Sequence, residues 1–79
     1  MNPKKVIFHH GIHFQFKKKQ KGKYIDVVIY KNNGKMLGMF AELYPFNEDG
    51  LAIVKSRYHN FFGEYSFITK NGNQVGLPF

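Results

Sequence analysis

The amino-acid sequence predicts an all-β fold, with residues 1–79 forming a single small domain of about six antiparallel strands built from two repeated hairpin units. Three observations support this prediction. Apolar and polar residues alternate with a period of two in the clearest segments. Turn sequences containing Asn-Gly separate two pairs of these segments. Helical periodicity never extends beyond about two turns, which is short for a helix of a globular protein.

The chain is internally repeated. Repeat 1 covers about residues 8–40 and repeat 2 about residues 46–79. The aligned glycines are separated by 38 residues (Gly34 to Gly72) to 41 residues (Gly22 to Gly63), so the copies differ by small insertions in loops. A repeat of this kind is a structural unit that buries its apolar face against its neighbour. We therefore expect the two copies to share one core.

The first copy opens with an alternating segment, residues 12–17, in which Ile12, Phe14 and Phe16 share one strand face. A further strand is predicted just before it, at residues 6–8. The polar residues 18–22 are predicted to form a turn.

Residues 24–30 are rich in β-branched and aromatic side chains, which favour a strand. Alternation predicts that Ile25, Val27 and Ile29 lie on the same face. The following Asn32-Asn33-Gly34 supplies residues that tolerate positive φ, so a tight hairpin turn is expected there. Residues 36–40 form the returning strand.

Residues 41–44 are predicted to be a short helical or irregular link, which ends before Pro45 because a residue preceding proline avoids the α region. In the second copy, residues 51–55 are predicted to be a strand and residues 56–63 a loop. Residues 64–69 then pair with residues 73–77 through the turn at Asn71-Gly72.

The second copy resembles a bacterial β-rich repeat, the WG (or KWG) repeat. The matching positions are Phe46, Gly50, Leu51, Ala52, Val54, Gly63, Phe67, Ile68, Lys70, Gly72, Val75 and Pro78. Tyr65-Ser66 stands where the family has its Trp-Gly pair. The resemblance implies stacked antiparallel hairpins, and it implies neither catalytic residues nor a particular ligand.

Charge is distributed unequally along the chain. Residues 1–40 hold nine Lys and one Asp (+8), and residues 41–79 hold three basic and four acidic residues (−1), which together give the net charge of +7. Such charges either maintain solubility or contact an anionic partner. The predicted binding residues are Lys17, Lys18, Lys19, Lys21, Lys23, Lys31, Lys35, Arg57, Tyr58 and His59.

Histidines raise the question of a metal site. His9, His10 and His13 follow a His-His-x-x-His pattern, and His59 lies in the second copy. Zinc requires three or four convergent ligands, the chain has no Cys, and only His9 and His13 would share a strand face. We therefore predict no metal and no cofactor.

Catalytic arrangements are sparse, and the sequence predicts a binding protein instead of an enzyme. A small ribonuclease using His59 with Arg57, or His13 with Lys17, is the catalytic alternative. The other alternative is a protein–protein interaction module that docks on an acidic partner.

Lysines interleaved with aromatics on a small β fold are typical of proteins that bind RNA. The function predicted from the sequence is therefore a basic module that contacts RNA or a ribonucleoprotein. Size and charge also fit a phage-type inhibitor of host defence, such as an anti-CRISPR that acts on an RNA-guided nuclease. No apolar run approaches a membrane span and no signal peptide is recognisable, so a cytoplasmic location without membrane contact is expected.

Overall fold

A computed structural model describes the backbone of residues 5–9, 11–58 and 61–79 and the side chains of residues 11–58 and 61–79. Over these residues the chain forms eight strands and no helix, which confirms the all-β class. The strands are β1 Lys5–His9, β2 Ile12–Phe16, β3 Lys18–Gln20, β4 Lys23–Lys31, β5 Met36–Leu43, β6 Leu51–Ser56, β7 Tyr65–Thr69 and β8 Gln74–Val75. This part of the chain accordingly has no helix that could span a membrane.

All eight strands belong to one antiparallel sheet. Seven of them follow the order β1-β2-β4-β5-β6-β7-β8, and β3 pairs with the N-terminal part of β4, along the same edge of β4 that pairs with β2. Seven strands laid flat would be about 29 Å wide and only one backbone thick, at about 4.8 Å per strand. The Cα atoms instead extend over 31 × 24 × 24 Å. The sheet is therefore strongly coiled, and its concave side encloses the core.

The core consists of side chains from β2, β4, β5, β6 and β7. The buried residues are Ile12, Phe14, Phe16, Val27, Ile29, Leu43, Ala52, Val54 and Ile68. Phe46, from the segment that links β5 to β6, covers the core and packs on Phe14 with ring centroids 5.5 Å apart. The two copies thus share one core, as the repeat predicts.

The copies present opposite faces to that core. In the first copy Ile29 is buried and Tyr30 is half-buried, whereas at the equivalent positions of the second copy Phe67 is half-buried and Ile68 is buried. Each copy contributes three strands to the meander, β2-β4-β5 and β6-β7-β8. Because three is odd, the first strand of the second copy runs antiparallel to the first strand of the first copy. The second copy can continue the meander in the same lateral direction only after a rotation of 180° about an axis in the plane of the sheet. This rotation exchanges the two faces of the copy.

The predicted polar turn at residues 18–22 is wrong in its extent. Lys18–Gln20 is strand β3, paired with β4 through Lys18 and Ile25, Lys19 and Tyr24, and Gln20 and Lys23. The turn itself has only two residues, Lys21 and Gly22, with φ of 49° and 79°. Two positive φ angles are typical of a type I′ hairpin turn, whose twist matches that of the strands.

The predicted alternation in β4 fails at its N-terminal half. Tyr24, and not Ile25, packs on the core together with Val27 and Ile29. Asp26 has a φ of 54°, in the left-handed region, and this residue interrupts the regular pleat. The interruption reverses the faces on which the preceding residues lie.

The link predicted at residues 41–44 is also wrong, because β5 continues to Leu43. Glu42 and Leu43 pair with Lys55 and Val54 of β6, after a register shift between Phe40 and Glu42. This shift places both Phe40 and Leu43 against the core, although they are three residues apart. A strand containing such a shift has no regular alternation in its sequence.

One turn geometry occurs three times, at residues 31–35, 47–51 and 69–73. In each turn the first residue donates its N–H to the carbonyl of the fifth, over 2.8–2.9 Å. The fourth residue is always a glycine, Gly34, Gly50 or Gly72, with a φ of 78–82°, and its N–H donates to the carbonyl of the first residue. This geometry is a type I turn followed by a left-handed residue.

We expect Gly34→Val and Gly72→Val each to lower the free energy of unfolding by roughly 1–3 kcal/mol, because a β-branched residue is strained at positive φ. An added Cβ would meet nothing within 4 Å at Gly34 and only ordinary contacts at 3.5 Å at Gly72, so strain is the dominant cost at both. Urea unfolding measures both losses. Gly34→Asn is the control and should recover most of the stability, since Asn tolerates this region; a Gly34→Val protein as stable as the parent would contradict the assigned turn.

Candidate nucleic-acid interface

The densest group of lysines lies on an exposed hairpin, which we call the lysine hairpin (residues 17–23). It is formed by β3, the two-residue turn and the start of β4. Lys17, Lys18, Lys19 and Lys21 are exposed, and none of them forms an ion pair with a residue of the described part. These four predicted binding residues, which are neighbours in the sequence, are therefore all exposed on the same hairpin.

The lysine hairpin is anchored to the core through Tyr24. The Tyr24 ring packs against Phe16 with centroids 4.5 Å apart, and the ammonium of Lys19 lies 5.4 Å from the Tyr24 centroid. A cation over an aromatic face contributes roughly 0.5–1 kcal/mol at an exposed site. The hairpin is thus a paired and supported element, not a loose loop.

Lys23 differs from the other lysines of the hairpin because it has a partner. Its Nζ donates to Glu42 Oε2 over 3.0 Å, and the Tyr44 hydroxyl donates to Glu42 Oε1 over 3.0 Å. The hydrogen bond with Glu42 raises the pKa of Lys23 and that of Tyr44. Burial alone would raise the pKa of Glu42, but the hydrogen bonds from Lys23 and Tyr44 outweigh it and lower that pKa.

A loop of exposed aromatic residues follows Arg57, whose side chain lies beside the base of the lysine hairpin. Arg57 Nη1 is 3.5 Å from Oδ1 of Asp26, the β4 residue that follows Ile25. Ile25 in turn accepts the backbone N–H of Lys17. The side chains that follow Arg57 are largely open to solvent, with exposed fractions of 78% for Tyr58, 96% for Phe61 and 61% for Phe62, and we call these three residues the aromatic loop.

His59, also a predicted binding residue, lies outside the described residues. Sequence reasoning missed the contact between Asp26 and Arg57, because the two residues are 31 positions apart and neither belongs to a recognisable motif. This contact places Arg57, the residue just before the aromatic loop, at the base of the lysine hairpin. The sequence left open whether Phe61 serves the surface or packs back on the sheet, and the structure shows that it is exposed.

Lys31 and Lys35 are exposed but lie away from the lysine hairpin, at the turn of residues 31–35. Lys31 and Lys23 are the two ends of β4, which at about 3.3 Å per residue are at most roughly 26 Å apart. The predicted binding residues therefore divide into two groups on the surface.

The histidine prediction lies partly outside the described part of the chain, which omits the side chains of His9, His10 and His59. His13 is described, and its ring stacks on Tyr30 with centroids 5.3 Å apart. Among the described residues no group of three His, Cys, Asp or Glu could hold a metal ion. The proposed pair of His13 with Lys17 stays a prediction from the sequence.

No known protein-family model matches the chain, and no curated protein or solved structure is significantly similar to it. The resemblance to the WG repeat therefore stays a prediction from the sequence.

We expect Glu42→Gln to destabilise the fold at neutral pH, because it removes the anion that Lys23 and Tyr44 contact. A carboxyl group whose pKa is lowered by folding stabilises the fold above its ordinary pKa, and this contribution is lost as the pH falls through the lowered value. The stability difference between the parent and the variant should therefore shrink in acid. Urea unfolding from pH 7 to pH 3 measures it, and a difference independent of pH would contradict the role of the charge.

Proposed function

We propose that this chain is a non-catalytic binding module whose lysine hairpin contacts RNA, either free or within a ribonucleoprotein. Four exposed lysines without an acidic partner in the described residues support the proposal. Lysines that neutralise phosphates release condensed counterions, which drives binding. Since the hairpin is already paired and anchored through Tyr24, its ordering costs little additional entropy on binding.

The observation that carries the proposal is the 3.5 Å pair of Arg57 with Asp26, which brings the residue just before the aromatic loop to the base of the lysine hairpin. Unpaired bases stack on exposed aromatic rings while basic side chains hold the phosphates. Tyr58 and Phe61 are exposed to a degree that core packing does not explain. Single-stranded or looped RNA is therefore the preferred ligand.

Replacing Lys17, Lys18, Lys19 and Lys21 together with Gln tests the electrostatic part. The four side chains are exposed, so the melting temperature should hold or rise slightly as self-repulsion falls. Affinity for single-stranded RNA should fall, and the slope of log K against log salt should flatten by up to about three units, at about 0.7 per phosphate contact.

The control for this variant is Lys70→Gln, a basic residue of the second copy that lies against Gly50. The affinity of this variant for single-stranded RNA, and the slope of its log K against log salt, should stay close to those of the parent. Equal RNA binding by the parent and by the quadruple variant would exclude the lysine hairpin as the contact surface.

Tyr58→Ala and Phe61→Ala test the stacking part. Each should reduce the affinity for an unpaired oligonucleotide by roughly 1–3 kcal/mol if its ring stacks on a base, and should leave affinity for a blunt RNA duplex unchanged. Phe61 is 96% exposed, so its replacement should not alter stability. Equal losses for both RNAs would argue against base stacking.

The exposed Phe61 also favours the second candidate, a docking surface for an acidic protein. The two candidates differ in their response to ribonuclease. Capture of the partner from the native host should be abolished by ribonuclease if RNA bridges the complex, and preserved if protein contacts suffice. Inhibition of an RNA-guided nuclease is the narrower form of the proposal, and a cleavage assay with the parent and the quadruple variant tests it.

A further inference from the structure

A second candidate site lies away from the lysine hairpin, between the turns of residues 31–35 and 69–73. It is a cleft of about 580 Å³. Its lining includes Lys31, Asn32, Asn33, Leu37, Asn71 and Asn73. One turn comes from each copy of the repeat, so the cleft exists only because the coiled sheet brings the two copies face to face.

Close packing holds the walls of this cleft in place. An added Cβ at Gly72 would lie 3.5 Å from side-chain carbons of Ile29 and Leu37, so the second turn rests on the first copy without strand pairing. On the other side, a Cβ at Gly11 would lie 2.7 Å from Oδ1 of Asn32. The glycine therefore lets the Asn32 side chain approach the backbone.

The polar groups of the cleft have few partners within the protein. Asn33 Oδ1 accepts the backbone N–H of Lys35 over 3.0 Å and is thereby occupied. The carboxamides of Asn32, Asn71 and Asn73 form no hydrogen bond with any side chain or backbone group in residues 11–58 and 61–79, and Lys31 forms no ion pair there. Three carboxamides and one ammonium are thus available to a ligand.

This combination of groups matches a nucleotide. A carboxamide presents a donor and an acceptor side by side, the pattern that reads the N6 and N7 edge of adenine. An ammonium binds phosphate, and Leu37 offers an apolar wall to the face of a base. A volume of about 580 Å³ lies within the usual range of small-molecule sites.

We infer that this cleft binds one nucleotide with an unpaired base, its base edge held by the carboxamides of Asn71 and Asn73 and its phosphate by Lys31. The ligand is either a free mononucleotide or one unit of an RNA strand. The site goes beyond the proposed RNA contact, because Lys31 and the lysine hairpin lie at opposite ends of the nine-residue strand β4.

Titration of the ¹⁵N-labelled protein with AMP, adenosine and ribose 5-phosphate tests the inference. AMP should shift the side-chain amide signals of Asn71 and Asn73. Lys31→Gln should lower the affinity for AMP at least threefold and leave the affinity for adenosine unchanged. The double variant Asn71→Ala with Asn73→Ala should lower the affinity for both ligands at least tenfold. These side chains are exposed, and an unchanged melting temperature verifies the fold of each variant.

The inference is overturned if AMP shifts only signals of the lysine hairpin, or if the double Asn variant binds AMP as the parent does. Comparison with a six-residue oligoadenylate separates the two sources of the ligand: tighter binding of the oligomer at the cleft identifies RNA, and equal or weaker binding identifies the free nucleotide. The quadruple Gln variant of the lysine hairpin should still bind AMP, so failure of the proposed RNA contact leaves this result unaffected.

Discussion

A single sheet must bury one of its own faces, and the rest of this structure depends on that constraint. The described chain has no helix and no second sheet to cover an apolar surface, so its nine buried side chains can leave water only if the sheet coils around them. Complete burial of a side chain such as Phe14 or Ile29 contributes roughly 1.5–3 kcal/mol, which opposes the entropy lost by the chain. The regular pleat is interrupted at Asp26 and by register shifts between Ile29 and Tyr30 and between Phe40 and Glu42. Such interruptions bend a strand and increase its twist, which favours coiling.

Coiling leaves the convex face to polar and aromatic side chains, which stabilise it by pairing across strands. Lys23 bonds to Glu42, and the ammonium of Lys55 lies 5.9 Å from the ring centroid of Tyr65 on the next strand. At the end of the chain, Phe79 exchanges two backbone hydrogen bonds with Tyr65, and a Cβ at Gly63 would lie 2.3 Å from its backbone. Glycine is therefore required at residue 63 for Phe79 to pair with Tyr65.

The same coiled sheet separates the two surfaces for which we propose anionic ligands. The lysine hairpin exposes charge, and the pair of Arg57 with Asp26 ties the start of the aromatic loop to its base. Exposed charge together with exposed rings is typical of contact with a flexible strand. The cleft at the other end of β4 is concave and lined with carboxamides, which is typical of a site that recognises one chemical group at a time. The charge of the first copy supplies both surfaces, since Lys31 as well as the lysine hairpin belongs to it.

The sequence by itself determined the all-β class, the hairpin turns at Gly34 and Gly72 and the faces of β2, because alternation and turn chemistry are local properties of the chain. It also indicated the charged segment that became the lysine hairpin. Only the tertiary structure decided which face of the second copy is buried. Equivalent residues such as Ile29 and Phe67 have similar side chains, yet an odd number of strands per copy turns them to opposite sides. The contact of Arg57 with Asp26 and the cleft between Lys31 and Asn71 likewise depend on how far the sheet coils, which is set by packing among distant residues and not by any local pattern.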